Sequence, residues 1–431
     1  MLRISVRRVL VTAVSLLVSV WAFAQTDGTY VGYSPYSVYG IGNLHNGGTA
    51  WNRGMGGVGI ATRNKRFVNT TNPASITARD SLSFMSDFTV SSRLSLFSEG
   101  DKNGFNTTAN LENFVISFPM WRNSAFIAGL SPFSDVGYSI TDYEVDYYTN
   151  YRTFRTTGNG GLYQVFAGAA YTLWNRLSIG VQGNYIFGNI NKKATTTNTD
   201  SSFMDFAAGD SLQVNNFSFK AGLQYEQPIS TRSYLTLGAT YRMSTPFGGH
   251  RIHYLANGSY SRTREEHLIK EDKLYLGEEI GAGLSFRNSD VWSAEVNYIR
   301  SNWSNSNFSN VQGFSNVGES VNFTSGVGQS IRAGFEITPN RNDIRYFLKR
   351  CTYRAGAYYD SSYYMVNGNH VNAIGVTMGM TLPVFRWYNG LTVGVDMGQR
   401  GLSGSQVKEK YIGFNLGMNM FDIWFKKPRY E

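Results

Sequence analysis

The chain has 431 residues, and 39 lysines and arginines against 30 acidic residues give it a formal net charge of +9. Charged residues make up only 16% of the sequence, whereas aromatic residues reach 15% and glycine occurs 46 times. Ordinary soluble domains carry roughly 25% charged residues, so a soluble multi-domain enzyme is disfavoured, and 42% apolar residues argue against a disordered chain. The single cysteine, Cys351, excludes a disulfide framework within the chain and a cysteine-based zinc site.

The first 24 residues have the pattern of a secretory signal peptide. Three arginines precede an apolar run over residues 9–20, and residues 22–24 (Ala-Phe-Ala) supply a cleavage site. The run is shorter than the roughly 20 residues of a membrane-spanning helix. We therefore expect export, with the mature chain beginning at Gln25, and no later apolar run is long enough for a spanning helix.

Residues 25–81 show no clean alternation of apolar and polar residues and are rich in glycine. Glycine permits tight turns and close packing of the backbone, and a residue before proline is held extended. A compact irregular segment ahead of the first strand is suited to plug a barrel, so we predict a hatch here. Its candidate residues are a glycine run and an Asn-Pro-Ala tripeptide: Gly54, Gly56, Gly57, Gly59, Asn72, Pro73 and Ala74.

From residue 82 onward apolar and polar residues alternate with the period of a β-strand. Near the C-terminus, for example, Ile412, Phe414 and Leu416 alternate with glycine and asparagine. Most segments have about 9–13 residues, the length that a tilted strand needs to cross a bilayer. The pattern predicts fourteen strands, at residues 82–97, 108–119, 124–133, 160–173, 177–188, 214–226, 233–245, 277–287, 291–301, 325–337, 352–364, 371–383, 390–400 and 411–423.

The connections between these strands alternate between short and long. Most of one set are tight turns of a few residues, with residues 338–351 as a longer member, while the other set contains the polar stretches 134–159, 189–213, 246–276 and 302–324. Aromatic residues gather at strand ends, including Trp174, Trp292 and Trp387. A soluble sandwich would show the same alternation, but short turns, long loops and aromatic girdles are typical of outer-membrane barrels.

The expected fold is therefore all-β, a 14-stranded antiparallel transmembrane β-barrel over residues 82–431. Residues 25–81 form the hatch in its lumen, and the protein is expected in the cell outer membrane. An even strand count places both barrel ends on the periplasmic side.

The run Arg-Gly-Met-Gly-Gly-Val-Gly-Ile-Ala at residues 53–61, followed by Asn-Pro-Ala at residues 72–74, resembles the hatch motif of the FadL/OMPP1/TodX family. Residues 34–42 and the C-terminal stretches 399–401, 408–411 and 424–426 resemble a Bacteroidota-type branch. The resemblance implies a fourteen-stranded channel for long-chain fatty acids and other hydrophobic compounds. It also implies that a strand kink, here at Pro132, marks a lateral exit to the bilayer.

Charged residues on the polar face of the last five strands are the other candidate site. They are expected to form a lumen network that holds the hatch, or else a gate that offers an arginine to a carboxylate: Arg332, Glu336, Arg354, Asp396 and Arg400.

The sequence offers no pattern for catalysis or metal binding. The five histidines (His45, His250, His253, His267 and His370) fall in the hatch, in loops or at a strand entrance, and those in loops, such as His250 and His253, are expected to be solvated. A hydrolase needs a histidine beside its nucleophile, and the glycine run lacks the Gly-Lys-Ser/Thr of a phosphate loop. We expect no enzyme, no cofactor, no metal and no nucleic-acid partner.

Two functions remain open at this point. The first is passive uptake of hydrophobic small molecules, such as long-chain fatty acids, through a hatch-plugged channel in contact with outer-membrane lipid. The alternative is a non-transporting FadL-like barrel that acts as a scaffold or shuttle subunit of an outer-membrane secretion or assembly complex. A continuous apolar path through the lumen favours the first, and a lumen sealed by polar groups favours the second.

Overall fold

The computed structural model describes residues 30, 32–79, 82–145, 151–199, 204–257, 260–267, 272–310, 323–384, 390–402 and 407–423. The predicted signal peptide and the C-terminal stretch 424–426 lie outside the described residues, as do Trp387 and most of the predicted loop 302–324. Within the described part of the chain, no helix has both the length and the apolar character that crossing a membrane requires.

Most of the described part of the chain forms β-strands. In order they are β1 (Asn43–Leu44), β2 (Ser83–Glu99), β3 (Lys102–Pro119), β4 (Ser124–Val145), β5 (Tyr151–Leu173), β6 (Leu177–Asn198), β7 (Phe206–Pro228), β8 (Ser233–Arg242), β9 (Gly249–Asn257), β10 (Tyr260–His267), β11 (Glu278–Asn288), β12 (Trp292–Asn302), β13 (Phe323–Ser325), β14 (Val327–Ile337), β15 (Thr352–Val366), β16 (Asn369–Pro383), β17 (Gly390–Arg400) and β18 (Lys408–Ile423).

Fourteen of these strands close an antiparallel barrel, which confirms the predicted fold class. Each pairs with its neighbours in chain order, β8 pairs with β11, β12 with β14, and β18 closes the ring on β2. The remaining four lie outside this ring: β1 belongs to the N-terminal segment, β9 and β10 form a hairpin, and β13 extends the edge beside β15. The connecting turns 120–123, 174–176, 229–232, 289–291 and 338–351 fall on one rim, called here the short-turn rim. Pro383 at the end of β16 pairs with Gly390 at the start of β17 on the same rim.

The barrel wall is apolar outside and polar inside. On β18, Phe414 and Met418 are exposed on the outer surface, whereas Asn415 and Asn419 are buried inside. On β6, Val181 is exposed and its neighbour Gln182 is buried. This is the reverse of a water-soluble protein and is the arrangement of a barrel that lipid surrounds.

Four strands are much longer than predicted. β4, β5, β6 and β7 contain 22 or 23 residues each, about twice what a bilayer crossing needs. Residues 134–159, 189–213 and 246–276 are therefore largely strand, and the prediction of loops there was wrong. It was wrong because polar residues such as Thr195 and Asn191 were assigned to loops. They continue the ladder into water, and β7 pairs with the β9–β10 hairpin there.

The chain before the first barrel strand, called here the N-terminal segment (residues 30–79), holds short elements only. They are a 3-10 turn at Pro35–Val38, strand β1, helix α1 (Ala50–Arg53) and a 3-10 turn at Pro73–Thr77. Ser34 and Asn72 cap the two 3-10 turns by accepting hydrogen bonds from backbone N–H groups. The segment contains many buried residues, including Trp51 and Met55, and it packs against the inner wall.

Candidate functional site

The N-terminal segment meets the barrel wall at inward-facing glycines. These glycines stand opposite one another in cross-strand pairs and are called here the glycine cradle: Gly180 with Gly222, Gly238 with Gly283, Gly334 with Gly356, and Gly379 with Gly394. A Cβ atom on Gly356 would lie 2.2 Å from the backbone nitrogen of Gly56, and one on Gly222 would lie 2.1 Å from Asn72 Oδ1. The cradle thus lets the segment's backbone approach the wall closer than any side chain would allow.

All seven candidate hatch residues lie in this contact zone. Gly56 and Gly57 have positive φ angles of 74° and 77°, which other residues rarely adopt. The Cα of Gly54 lies 2.9 Å from the position of a Cβ on Gly379, and the backbone of Pro73 and Ala74 covers Gly180. The Gly59 amide donates a hydrogen bond to the carboxylate of Glu295 on the wall.

Glu295 on β12 binds the backbone of the N-terminal segment. Its Oε1 accepts hydrogen bonds from the amides of Gly59, at 3.0 Å, and Ala61, at 2.9 Å, while its Oε2 accepts one from the Thr62 hydroxyl. Nearby, Gln224 donates to the Ile60 carbonyl at 2.9 Å. Since hydrogen bonds to a charged group are stronger than neutral ones, Glu295 is the main polar anchor at this level of the lumen.

All three of the predicted lumen arginines contact the N-terminal segment. Arg332 donates to the Gly56 carbonyl at 3.1 Å and pairs with Asp360 through two hydrogen bonds of 2.8 and 2.7 Å. Arg354 donates to Glu336 at 2.6 Å and lies over the ring of Phe67, 4.9 Å from its centroid. Both guanidinium groups therefore connect barrel strands to the segment.

The other predicted lumen residues belong to a second cluster nearer the opposite rim. Asp396 accepts a hydrogen bond from the Tyr358 hydroxyl at 2.8 Å and lies 3.7 Å from Arg93. Arg400 donates to the Asn43 side chain at 2.8 Å and lies 3.7 Å from Glu409. The structure thus divides the five predicted residues between two levels of the lumen.

The barrel wall has a discontinuity between β3 and β4. Their ladder ends where Phe114 pairs with Leu130, and the register of β4 against β5 shifts at Pro132. Beyond Pro132, β4 pairs with β1 of the N-terminal segment instead of β3. A kink of β4 at the predicted proline is therefore accompanied by a gap in the wall, called here the β3–β4 gap.

Residues 43–48 of the N-terminal segment fill the β3–β4 gap. Leu44 pairs with Ser134, and the His45 amide donates to the Phe133 carbonyl at 2.9 Å, so the segment is bound to β4. On the other side, Asn113 of β3 donates to the Gly48 carbonyl at 3.1 Å. A cavity of only about 10 Å³ remains at this place, less than a bound molecule needs.

A charged cluster lies at the inner side of this gap. His45 Nε2 lies 2.8 Å from Asp135, and its Nδ1 lies 3.5 Å from Glu112, which also pairs with Arg53. Burial by itself lowers the pKa of His45, but hydrogen bonds to Asp135 and Glu112 outweigh burial and raise the pKa to about 9. At neutral pH the protonated imidazole therefore joins the N-terminal segment to β3 and β4.

Toward the opposite rim, apolar side chains close the lumen. Ile41 of the N-terminal segment, Leu162 of β5, and Trp303 and Phe308 after β12 all have no exposed surface. The Trp303 ring packs 4.8 Å from that of Tyr363. These residues and their buried neighbours, called here the apolar layer, form one continuous packed cluster.

Between the apolar layer and the glycine run lies a cavity of about 270 Å³. Its wall contains charged groups of both signs, namely five arginines and five carboxylates: Arg53, Arg93, Arg242, Arg332 and Arg400, and Glu112, Asp135, Glu279, Asp360 and Asp396. Arg242 and Glu279 form an ion pair of 3.3 Å. These charged groups make the cavity better suited to water than to an apolar molecule.

Sequence reasoning placed His45 in the hatch without partners, because Asp135 and Glu112 are brought to it only by the fold. His250 and His253 lie in strand β9, not in a loop, and they pair with Glu265 and Asp210. In the described portion of the protein, no three potential ligands are grouped as a metal site would require.

The fold is similar to that of several solved outer-membrane channels. The CymD monoaromatic hydrocarbon channel matches with a TM-score of 0.56 at 13% identity, covering 88% of this chain and 99% of CymD. The Ralstonia pickettii toluene transporter TbuX gives 0.55 at 13% identity, covering 87% and 98%. A Pseudomonas aeruginosa FadL homologue gives 0.54 at 10% identity, covering 87% and 98%. The similarity confirms the expected FadL-like fold, while the Bacteroidota-type branch stays a prediction.

At these identities the structures establish the fold alone, and among curated proteins none matches the sequence. The sequence model of one family, described as BamG, matches residues 5–431, which is nearly the whole chain. The chain therefore belongs to the BamG family, and its fold is similar to that of the FadL-like barrels.

Proposed function

We propose that this protein is a closed outer-membrane barrel that serves as a structural subunit of an outer-membrane assembly or secretion complex. The observation that carries the proposal is the content of the lumen, which holds the apolar layer and a cavity lined by charged side chains. An apolar molecule that passed through it would have to break the apolar layer and then displace water from ten charged side chains. Burying such charges against an apolar ligand is costly.

The exposed part of the barrel offers a surface for protein partners. β4 to β7 rise with 22 or 23 residues each, which is about 70 Å of strand at ~3.3 Å per residue, and the β9–β10 hairpin widens this sheet. A bilayer crossing explains only about half of that length. A rigid sheet that projects beyond the membrane is of more use to a scaffold than to a passive pore.

The N-terminal segment is held as a structural part of the barrel in this proposal, and residues 25–81 act as a permanent hatch. Glu295, Arg332 and Arg354 then hold the hatch in place. Asp396 and Arg400 stabilise the part of the lumen that lies nearer the opposite rim. The Gly54–Gly59 run and the Asn72-Pro73-Ala74 tripeptide dock it on the glycine cradle.

A second candidate is passive passage of hydrophobic small molecules, and the β3–β4 gap is the observation that favours it. TbuX is named as a toluene transporter and CymD as a monoaromatic hydrocarbon channel. The gap begins at the kink at Pro132. Transport by a lateral route requires that residues 43–48 leave this gap. Long-chain fatty acids are one class of substrate that such a route would accept.

The two functions are separated by locking the gap. In a Cys351→Ser background, the pair Leu44→Cys/Ser134→Cys places two cysteines at directly paired positions of β1 and β4. The matched control, Ser98→Cys/Asn103→Cys, links β2 to β3 at paired positions away from the gap. Both disulfides are formed in cells of the native host, or in an outer membrane that carries the protein.

A structural subunit works with the gap locked, so native mass spectrometry of gently extracted barrels should show stoichiometric protein partners in both variants. Uptake of radiolabelled toluene or oleate should not depend on the lock. If the Leu44–Ser134 lock alone stops uptake and a lone barrel with an exchangeable apolar ligand is extracted, the structural role is refuted and the channel is established.

A further inference from the structure

The longest turn of the short-turn rim carries an uncovered apolar surface. Residues 338–351 connect β14 to β15 and contain helix α2 (Phe347–Arg350). Ile344 is 98% exposed and Leu348 is 64% exposed, while Tyr346 and Phe347 are exposed to about half their surface. Four large apolar side chains within five residues are more than the scattered exposed apolar residues of an ordinary surface.

The turn is ordered by its own hydrogen bonds, so its exposed groups are held in place. The Asn340 amide donates to the Lys349 carbonyl at 2.8 Å, and the hydroxyls of Thr338 and Thr352 are 2.8 Å apart at its base. Asp343 accepts hydrogen bonds from the backbone amides of Arg345 and Tyr346. These contacts fix the direction in which Ile344 and Leu348 project.

The turn folds toward the outer side of the wall. Tyr353 precedes Arg354 on β15, and because Arg354 faces the lumen, Tyr353 faces outward. Its hydroxyl donates to the Leu348 carbonyl at 3.0 Å. The apolar side chains of the turn therefore continue the lipid-facing wall, where Trp292 and Phe335 pack 6.0 Å apart at the same end of the barrel.

The charge of the turn is strongly positive. It contains Arg341, Arg345, Lys349 and Arg350 against the single acid Asp343, a net charge of +3. Three of these cations sit on aromatic rings: Arg345 and Lys349 lie 5.3 and 4.7 Å from the Tyr346 centroid, and Arg350 lies 5.2 Å from that of Phe347. Apolar, aromatic and basic side chains so combined are typical of a segment lying in a membrane interface.

We propose that residues 338–351 are an interfacial anchor for anionic phospholipid of the periplasmic leaflet. Ile344, Phe347 and Leu348 enter the boundary of the acyl chains, and the cations beside them bind headgroup phosphates. The charge and the continuity with the lipid-facing wall favour lipid over a protein as the occupant. The inference rests on the proposed outer-membrane location and orientation but not on the structural role.

The first test measures phosphatidylglycerol binding to the full-length mature protein in nanodiscs of phosphatidylethanolamine with added phosphatidylglycerol. The variant is Arg345→Gln/Lys349→Gln/Arg350→Gln. Since each basic side chain near an anionic surface contributes about fivefold in affinity, three should contribute on the order of a hundredfold. The matched control makes the same charge change at exposed arginines in other turns of the same rim: Arg122→Gln, Arg176→Gln and Arg232→Gln.

The expected result is a large loss of affinity in the first triple variant and little change in the second. Equal affinity in both variants overturns the proposal. Heat-dependent gel migration verifies that each barrel is folded. The protein partners of each variant are counted separately, in native extracts. This count reports on the proposed structural role independently of the lipid-binding measurement.

The second test asks what covers the apolar side chains. An environment-sensitive fluorophore is attached at Ile344→Cys in a Cys351→Ser background, with Ser230→Cys on another turn as the reference site. In nanodiscs the probe at position 344 should be blue-shifted and quenched by lipid-borne nitroxides. A water-like emission of the probe at position 344 in nanodiscs refutes the anchor. The anchor is also refuted if the probe is shielded from water only in native extracts, where a partner protein crosslinks to it.

Discussion

Substituting Gly356 with alanine tests whether the glycine cradle positions the N-terminal segment. Gly356 lies in β15 with an ordinary strand conformation, so alanine is compatible with the backbone itself. The added methyl group would lie 2.2 Å from the Gly56 nitrogen and 2.5 Å from the Met55 carbonyl carbon, whereas ordinary contact begins near 3.4 Å. The segment must therefore withdraw by about 1 Å at this point.

That displacement strains two hydrogen bonds. The Gly56 amide donates to Thr377 at 2.7 Å, and the Gly56 carbonyl accepts from Arg332 at 3.1 Å. Overpacking costs about 1–3 kcal/mol, and each weakened bond adds about 1 kcal/mol. We expect the docking of the segment to weaken by about 3–5 kcal/mol, while the barrel, whose ladders are untouched, keeps its stability.

Hydrogen exchange measured on the amides of residues 54–62 reports this docking directly. Protection of these amides should fall in Gly356→Ala, with no change in the amides of β15 to β17. The control is Gly183→Ala, since a Cβ there faces outward and meets no atom closer than 3.7 Å. If both variants retain full protection, the close contact between Gly56 and the wall does not position the segment.

Three further changes test other parts of the site. Glu295→Ala leaves buried amide donors of residues 59–61 unpaired and should weaken docking by about 3 kcal/mol, with a smaller loss for Glu295→Gln; hydrogen exchange would detect both, and an unchanged profile would contradict the anchoring role. Because the pKa of His45 is raised from 6.5 to about 9, its stabilisation is complete below about pH 6.5 and is lost as the pH rises through 9. Exchange at residues 43–45 followed against pH checks this, and His45→Gln should abolish the dependence. Trp303→Ala should lower the unfolding free energy by about 3–5 kcal/mol, against within about 0.5 kcal/mol for the exposed Trp174→Ala, as measured by denaturant titration.

Much of the barrel follows from local pattern. Alternation fixed which face of each strand is apolar, and for β17 the predicted range 390–400 equals the observed Gly390–Arg400. It failed where the wall leaves the membrane, because residues of β4 to β7 that face water on both sides lose the apolar signal while their backbone still pairs. Hydrogen bonding of the ladder, not burial of side chains, defines those strand ends.

Sequence reasoning found residues with an unusual backbone more readily than residues with unusual partners. The glycine run and the Asn-Pro-Ala tripeptide are visible because few residue types tolerate their conformations. His45, Glu112 and Asp135 carry no local signal, since they are separated by up to 90 residues. The three hydrogen-bond donors that Glu295 meets on the N-terminal segment are likewise not predictable from spacing.

The sequence by itself determined the all-β barrel, its strand number and the faces of its wall, because a two-residue period is a local property of the chain. Only the tertiary structure decided what fills the lumen. Whether the glycines of eight strand positions line up into a cradle, whether residues 43–48 fill the β3–β4 gap, and whether arginines face carboxylates around the cavity all depend on strand register and barrel closure. Those are long-range relations, and they are what separate an open channel from a sealed barrel.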